Sequence, residues 1–142
     1  MEYNIEGGRT QILPTSGHDA ANENWGGRWR MPTEAECKEL VDKCKWSWIQ
    51  KDYYSGYNVT GPNGNSIFLP ANGWRGGDGA QLVGKHGSYW SSTLIPHNKQ
   101  DYSKYFSEGN GAYSLTFDDG TLGIGGDCSY RKFGRSVRPV TE

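Results

Sequence analysis

The stretch Arg30-Met31-Pro32-Thr33-Glu34-Ala35-Glu36-Cys37-Lys38-Glu39 decides the fold. Thr33 stands three residues before Glu36, the spacing of a capping box in which each side chain satisfies an orphan amide of the other residue. Cys37, Leu40, Val41 and Cys44 then fall at i, i+3, i+4 and i+7, one apolar stripe on a helix. Glu34, Glu36 and Glu39 come early and Lys43 and Lys45 late, as the helix dipole favours. The pattern predicts a helix over residues 33–44.

Toward the N-terminus, Ser16-Gly17-His18-Asp19 has the spacing of a second capping box, closed by an acidic residue. It predicts a short helix through Ala20, Ala21 and Asn24 to Trp25, stopped by Gly26-Gly27. Residues 1–15 carry little pattern and read as a linker or edge strand, with a turn at Gly7-Gly8 and a short strand at 10–13. Toward the C-terminus the period changes to two. Trp46 and Trp48 alternate, and the runs 57–60 and 66–70 predict a hairpin about the turn Gly61-Pro62-Asn63-Gly64-Asn65. Residues 88–92 predict a short aromatic strand, and 112–117 and 135–140 alternating strands. Between them lie long loops at 71–87 and 93–110 and a Gly-rich segment at 118–134. Loops of that length within one domain are more often functional than incidental.

The 142 residues suit a single domain spanning the whole chain. Only 34% are hydrophobic but 13% are aromatic, so the core rests on a few large rings. A net charge of -1 offers no footprint for nucleic acid or an anionic membrane. No apolar run reaches the roughly 20 residues of a membrane span, so no direct insertion is expected. The residues after Met1 do not read as a secretion signal, Met1 reads as an introduced start, and the compartment cannot be read from this end. On one helix Cys37 and Cys44 would lie about 10 Å apart, beyond disulfide reach. With Cys128 they read as structural thiols.

Four motifs, in order, carry a family resemblance: Trp29-Arg30-Met31-Pro32-Thr33, Gly64-Asn65-Ser66-Ile67-Phe68-Leu69-Pro70-Ala71, Tyr89-Trp90-Ser91-Ser92-Thr93 and Ser136-Val137-Arg138-Pro139-Val140. Over residues 18–142 the chain resembles the formylglycine-generating-enzyme branch of the C-type lectin fold. It is similar in pattern to the paralogous lectin-like domain of Fibrobacter and gut Bacteroides surface proteins. Cys37 stands where that family usually has an aromatic, and Trp74 where it usually has Tyr. The resemblance implies an α+β, C-type lectin-like domain, two helices on a twisted antiparallel sheet with the terminal strands brought close. It also implies a noncatalytic adhesion or receptor role at a bacterial or phage surface, hence an extracellular or cell-surface location.

Some similar proteins are the variable proteins of diversity-generating retroelements, in which adenine-directed mutagenesis rewrites Asn codons of the C-terminal half. Residues reachable from an Asn codon here include Asp78, His86, Ser88, Ser114, Asp118, Thr121, Gly123, Asp127, Ser129 and Tyr130. Lys132 is not reachable by changing the first two bases of an AAC codon. Two histories stay open: a diversified receptor, and an ordinary surface domain whose loops hold the usual small polar residues.

The expected binding face is residues 74–88 and 118–133. Trp74, Tyr130 and Phe133 are its apolar anchors, with Tyr102 and Tyr105 as further loop rings. Asp78, His86, Ser88, Ser114, Asp118, Asp127, Ser129 and Lys132 supply polar contacts. Loop aromatics give large contact area at low entropy cost and also suit sugar stacking, so the partner is a protein or glycan ligand. Trp25, Trp29, Trp46, Trp48 and Trp90 are assigned to the core, and Arg138 to tying the last strand into the fold.

No cofactor is expected. The calcium motifs of sugar-binding lectins, Glu-Pro-Asn and Trp-Asn-Asp, are missing. Asp118-Asp119-Gly120 with Asp127 could hold a cation, but a solvated turn is the commoner meaning. His18, His86 and His97 lack metal-ligand spacing. No nucleophile elbow, paired base or phosphate loop appears, so the chain is not expected to be an enzyme. The sequon Asn58-Val59-Thr60 falls in a predicted strand and reads as chance. The alternatives are a structural module of a surface or fimbrial protein and, further off, a formylglycine-generating-type oxidase.

Overall fold

Thr33 Oγ1 accepts from the Glu36 amide at 3.1 Å, and the Glu36 carboxylate accepts from the Thr33 amide at 2.8 Å. This box starts helix α2 (Glu34–Lys43), as the sequence predicts. The computed structural model describes residues 11–95, 111–125 and 131–141. The expected turn at Gly7-Gly8, Thr10, most of the 93–110 loop with His97, Tyr102 and Tyr105, and Cys128 lie outside the described residues. Helix α1 (Ala20–Trp25) is capped by Asp19 rather than by Ser16. The Ser16 hydroxyl instead donates to Leu13 O, closing a 3-10 turn at Pro14–Ser16 that Gly17 ends in a left-handed conformation.

Among the described residues the strands form three antiparallel sheets, which with the two helices places the chain in the α+β class. The first orders β1 (Lys45–Gln50), β2 (Ser55–Thr60) and β3 (Ser66–Pro70), with Trp46 opposite Val59 and Trp48 opposite Tyr57. The predicted loop at 71–87 contains a small hairpin, β4 (Trp74–Gly76) and β5 (Gly79–Gln81). The aromatic strand is longer than expected, β6 (His86–Leu94), and pairs with β7 (Ala112–Asp118). β7 in turn pairs with β8 (Thr121–Gly125), which lies in a segment expected to be irregular.

The predicted strand at 135–140 does not form. That segment is held by single bridges, Ser136 to Tyr89 and Val140 to Arg30, with Gly134 to Arg75 just before it. Pro139 has no amide proton to give a ladder.

The main core joins α2 to both three-stranded sheets through Cys37, Val59, Leu69, Leu115 and three rings. Tyr57 meets Phe117 edge-on at 5.3 Å, and Tyr89 stacks on Phe117 at 6.0 Å. Trp46 and Trp48 flank Tyr57 edge-on. A second cluster joins Ile12, Ala21, Met31, Leu94 and Ala112. The core assignment fails for Trp25 and Trp29, which are 57% and 40% exposed. α1 has only six residues and buries Ala21 alone, leaving its C-terminal ring outside. Asn58 is half-buried within β2. Among the described residues, no helix is long and apolar enough to cross a membrane.

Candidate ligand-binding face

Strand alternation divides the β6–β7–β8 sheet into two faces. Tyr89, Leu115 and Phe117 point inward to the core, with Leu122 and Ile124 packed against them. The register then puts His86 beside Asp118 beside Thr121, Ser88 beside Thr116 beside Gly123, and Trp90 beside Ser114 beside Gly125 on the outer face. That face is small and polar apart from one indole. Among the described residues, a Cβ added at Gly123 would meet nothing within 4 Å, so they leave the floor of the face open there.

Arg135 crosses this floor. Its guanidinium carbon sits 4.8 Å from the centroid of the Trp90 ring, and Nη1 donates to Ser88 Oγ and reaches Ser114 Oγ at 3.4 Å. Ser88 and Ser114 have no exposed surface, which corrects their assignment as direct ligand contacts. They are the buried supports of Arg135. The backbone continues the arrangement, since Ser136 N donates to Ser88 O and Trp90 N donates to Ser136 O.

At one end of the face, His86 Nδ1 and Asp118 Oδ1 are 2.9 Å apart. The β7–β8 turn beneath them is held from the first sheet. The Tyr57 hydroxyl accepts from Gly120 N at 2.9 Å and donates to Asp118 O at 3.0 Å. Next to this end, Gly73 N donates to His86 O, which lays the β4–β5 hairpin against β6. Gly73 has φ +66, and a Cβ there would stand 1.9 Å from Gln81 O, so this close approach requires glycine.

Trp74 and Phe133 do come together, with ring centroids 5.3 Å apart. Arg75 and Gly134 exchange backbone hydrogen bonds at 2.6 and 2.8 Å, which brings the two segments side by side. Both rings are half-buried, and Lys132 Nζ lies 5.6 Å from the Phe133 centroid. Trp74 is thus a strand residue in a ring pair rather than a lone loop anchor. Asp78 is exposed in the β4–β5 turn. Asp127, Ser129 and Tyr130 lie outside the described residues.

Sequence reasoning missed Arg135, Thr116 and Tyr57 as parts of the site. Arg135 reads as one member of an alternating strand, and nothing local pairs it with Ser88, 47 positions earlier. The acidic turn offers Asp118 to His86, and among the described residues no three His, Cys, Asp or Glu groups come together as a metal set. On the inner face, burial pushes the Tyr89 phenol up to about 12, so it stays protonated at neutral pH. Comparison with protein-family models, curated proteins and solved structures gives no match.

Proposed function

We propose that this chain is a noncatalytic ligand-binding domain of C-type lectin-like architecture, carried at a bacterial or phage surface, with a protein or glycan ligand and no cofactor. The observation that carries this reading is the division of the β6–β7–β8 sheet. Its inner side chains build the core, while the outer positions Thr116, Asp118, Thr121 and Gly123 contribute nothing to that core. A face of that kind accepts many residues without loss of the fold, which is what a variable protein of a diversity-generating retroelement needs. The hairpin with Trp74 and the segment with Lys132 and Phe133 border it and add aromatic contact area.

Glycan-array binding of the wild-type chain and of Gly123→Trp tests the face directly. Loss of signal in the variant at an unchanged melting temperature supports it, and undiminished signal puts the ligand elsewhere. Sequencing this coding region across its source population tests the history. Adenine-confined changes in the codons of Asp118, Thr121 and Gly123, beside constant Leu115 and Phe117, are expected of a diversified receptor. A uniform sequence means a fixed ligand.

A further inference from the structure

A groove of about 770 Å³ runs on the other side of the same sheet, between α2, the β2–β3 turn and the C-terminal segment. That volume is within the roughly 300–1,000 Å³ of small-molecule sites. Its apolar lining includes Leu40, Ile67, Leu69, Tyr89 and Leu115, with Cys37 and the half-exposed Trp29. Tyr89 and Leu115 belong to the inner face of the β6–β7–β8 sheet, so the groove and the outer face lie on opposite sides of it.

The charges around the groove are unequal in what they leave unpaired. Glu36 is held by Arg30 at 2.7 Å, and Glu39 by Lys43 at 2.6 Å. Arg138, expected to tie the last strand into the fold, instead is exposed at the groove and has no ion-pair partner among the described residues. Both carboxylates are neutralised and one guanidinium is left over at an apolar cleft. A planar guanidinium in that position favours a carboxylate or a similar oxyanion.

We propose that this groove binds an amphiphile with an apolar chain and a single anionic head group, the chain along Leu40, Ile67 and Leu115 and the head at Arg138. Burial of the chain supplies most of the affinity, and the head group sets polarity and orientation.

Calorimetric titration tests this with decanoate and decyltrimethylammonium below their micelle concentrations and decanol below its solubility limit. Saturable one-site binding of decanoate is expected, with decanol weaker and the ammonium weaker still. Arg138→Gln should weaken decanoate about fivefold, the worth of one partly exposed ion pair. Arg138→Glu should reverse the preference toward the ammonium. Position 138 is exposed, so both variants should keep the wild-type melting temperature, which is measured alongside. The proposal is overturned if decanoate gives no saturable heat, if decanol binds as tightly, or if neither variant changes the order. None of these results bears on the outer face.

Discussion

Arg135 stacks its guanidinium on the Trp90 ring, 4.8 Å from the centroid, while its Nη1 donates to the buried Ser88 hydroxyl. One side chain thereby fastens the C-terminal segment to the outer face of β6. Arg135→Ala removes the cation from the indole and takes one donor away from a serine with no exposed surface. Urea unfolding should show a loss of about 2 kcal/mol. Arg135→Lys should recover less than half of it, because an ammonium lacks the planar fork. An alanine variant as stable as wild type would mean that Arg135 merely lies on the surface.

Gly87 and Gly123 sit on strands of the same sheet and face opposite ways. A Cβ at Gly87 would stand 2.0 Å from Phe117 Cζ, inside a ring stack bounded by Tyr57 and Tyr89. Gly87→Ala should therefore cost about 3 kcal/mol through overpacking. Gly123→Ala meets no atom of the described residues and should stay within about 0.5 kcal/mol of wild type. Thermal unfolding of the pair measures the division of the sheet on which the proposed function rests. Similar costs at the two positions would count against it.

Legibility followed the range of the interactions. The Thr33–Glu36 box and the Cys37, Leu40, Val41, Cys44 stripe are local, and each was readable from spacing alone. The β2–β3 hairpin was readable because its turn is five polar or turn-forming residues between two apolar runs. β4 and β5 were not, since strands of three residues with two glycines among their six show no alternation. The polarity of Ser88 and Ser114 suggested surface. Only the register that places both beneath Arg135 shows why two serines are buried there. Segment 135–140 had the alternation of a strand, but its bridges go to three different partners with Gly134 included.

Asp19 has no exposed surface and serves four hydrogen bonds. Its Oδ1 accepts from Ala21 N at 2.9 Å, Asn22 N at 3.0 Å and Met31 N at 3.1 Å, and its Oδ2 accepts from Met31 N at 2.9 Å. The residue both caps α1 and joins it to the segment leading into α2. Asp19→Ala strips an acceptor from three amides and should cost about 3 kcal/mol or more in urea unfolding. Asp19→Asn keeps one carbonyl oxygen but turns an amide group toward Met31 N, and should fall between. An alanine variant losing under about 1 kcal/mol would reduce Asp19 to an ordinary surface cap.

Burial pushes the Cys37 thiol up to about 12, and Glu36 and Glu34 add to the shift. At pH 8 the thiolate is scarce and the sulfur is covered. A thiol-specific reagent, mapped by peptide mass, should label the half-buried Cys44 in the native chain and Cys37 only as denaturant unfolds it. Prompt native labelling of Cys37 would show that the α2 face opens readily.

Arg30 donates through Nη1 and Nη2 to the two Glu36 oxygens at 2.8 and 2.7 Å. This pair, ahead of the Thr33 contacts, draws the Glu36 carboxyl down from 4.5 to about 2. A depressed folded-state pKa means that the folded protein resists protonation there. The stabilisation is complete above the unfolded value of 4.5 and is lost as pH falls toward 2. Because the Glu36 side chain is 40% exposed, solvent screening limits it to about 1 kcal/mol. Glu36→Gln removes both the ion pair and the titration. Its stability should lie below wild type at pH 7 and converge with it near pH 2, as urea midpoints across that range would show. A constant gap between the two curves would mean that ionisation of Glu36 adds nothing to stability, since the Arg30 pair and the Thr33 contacts both titrate with its carboxyl.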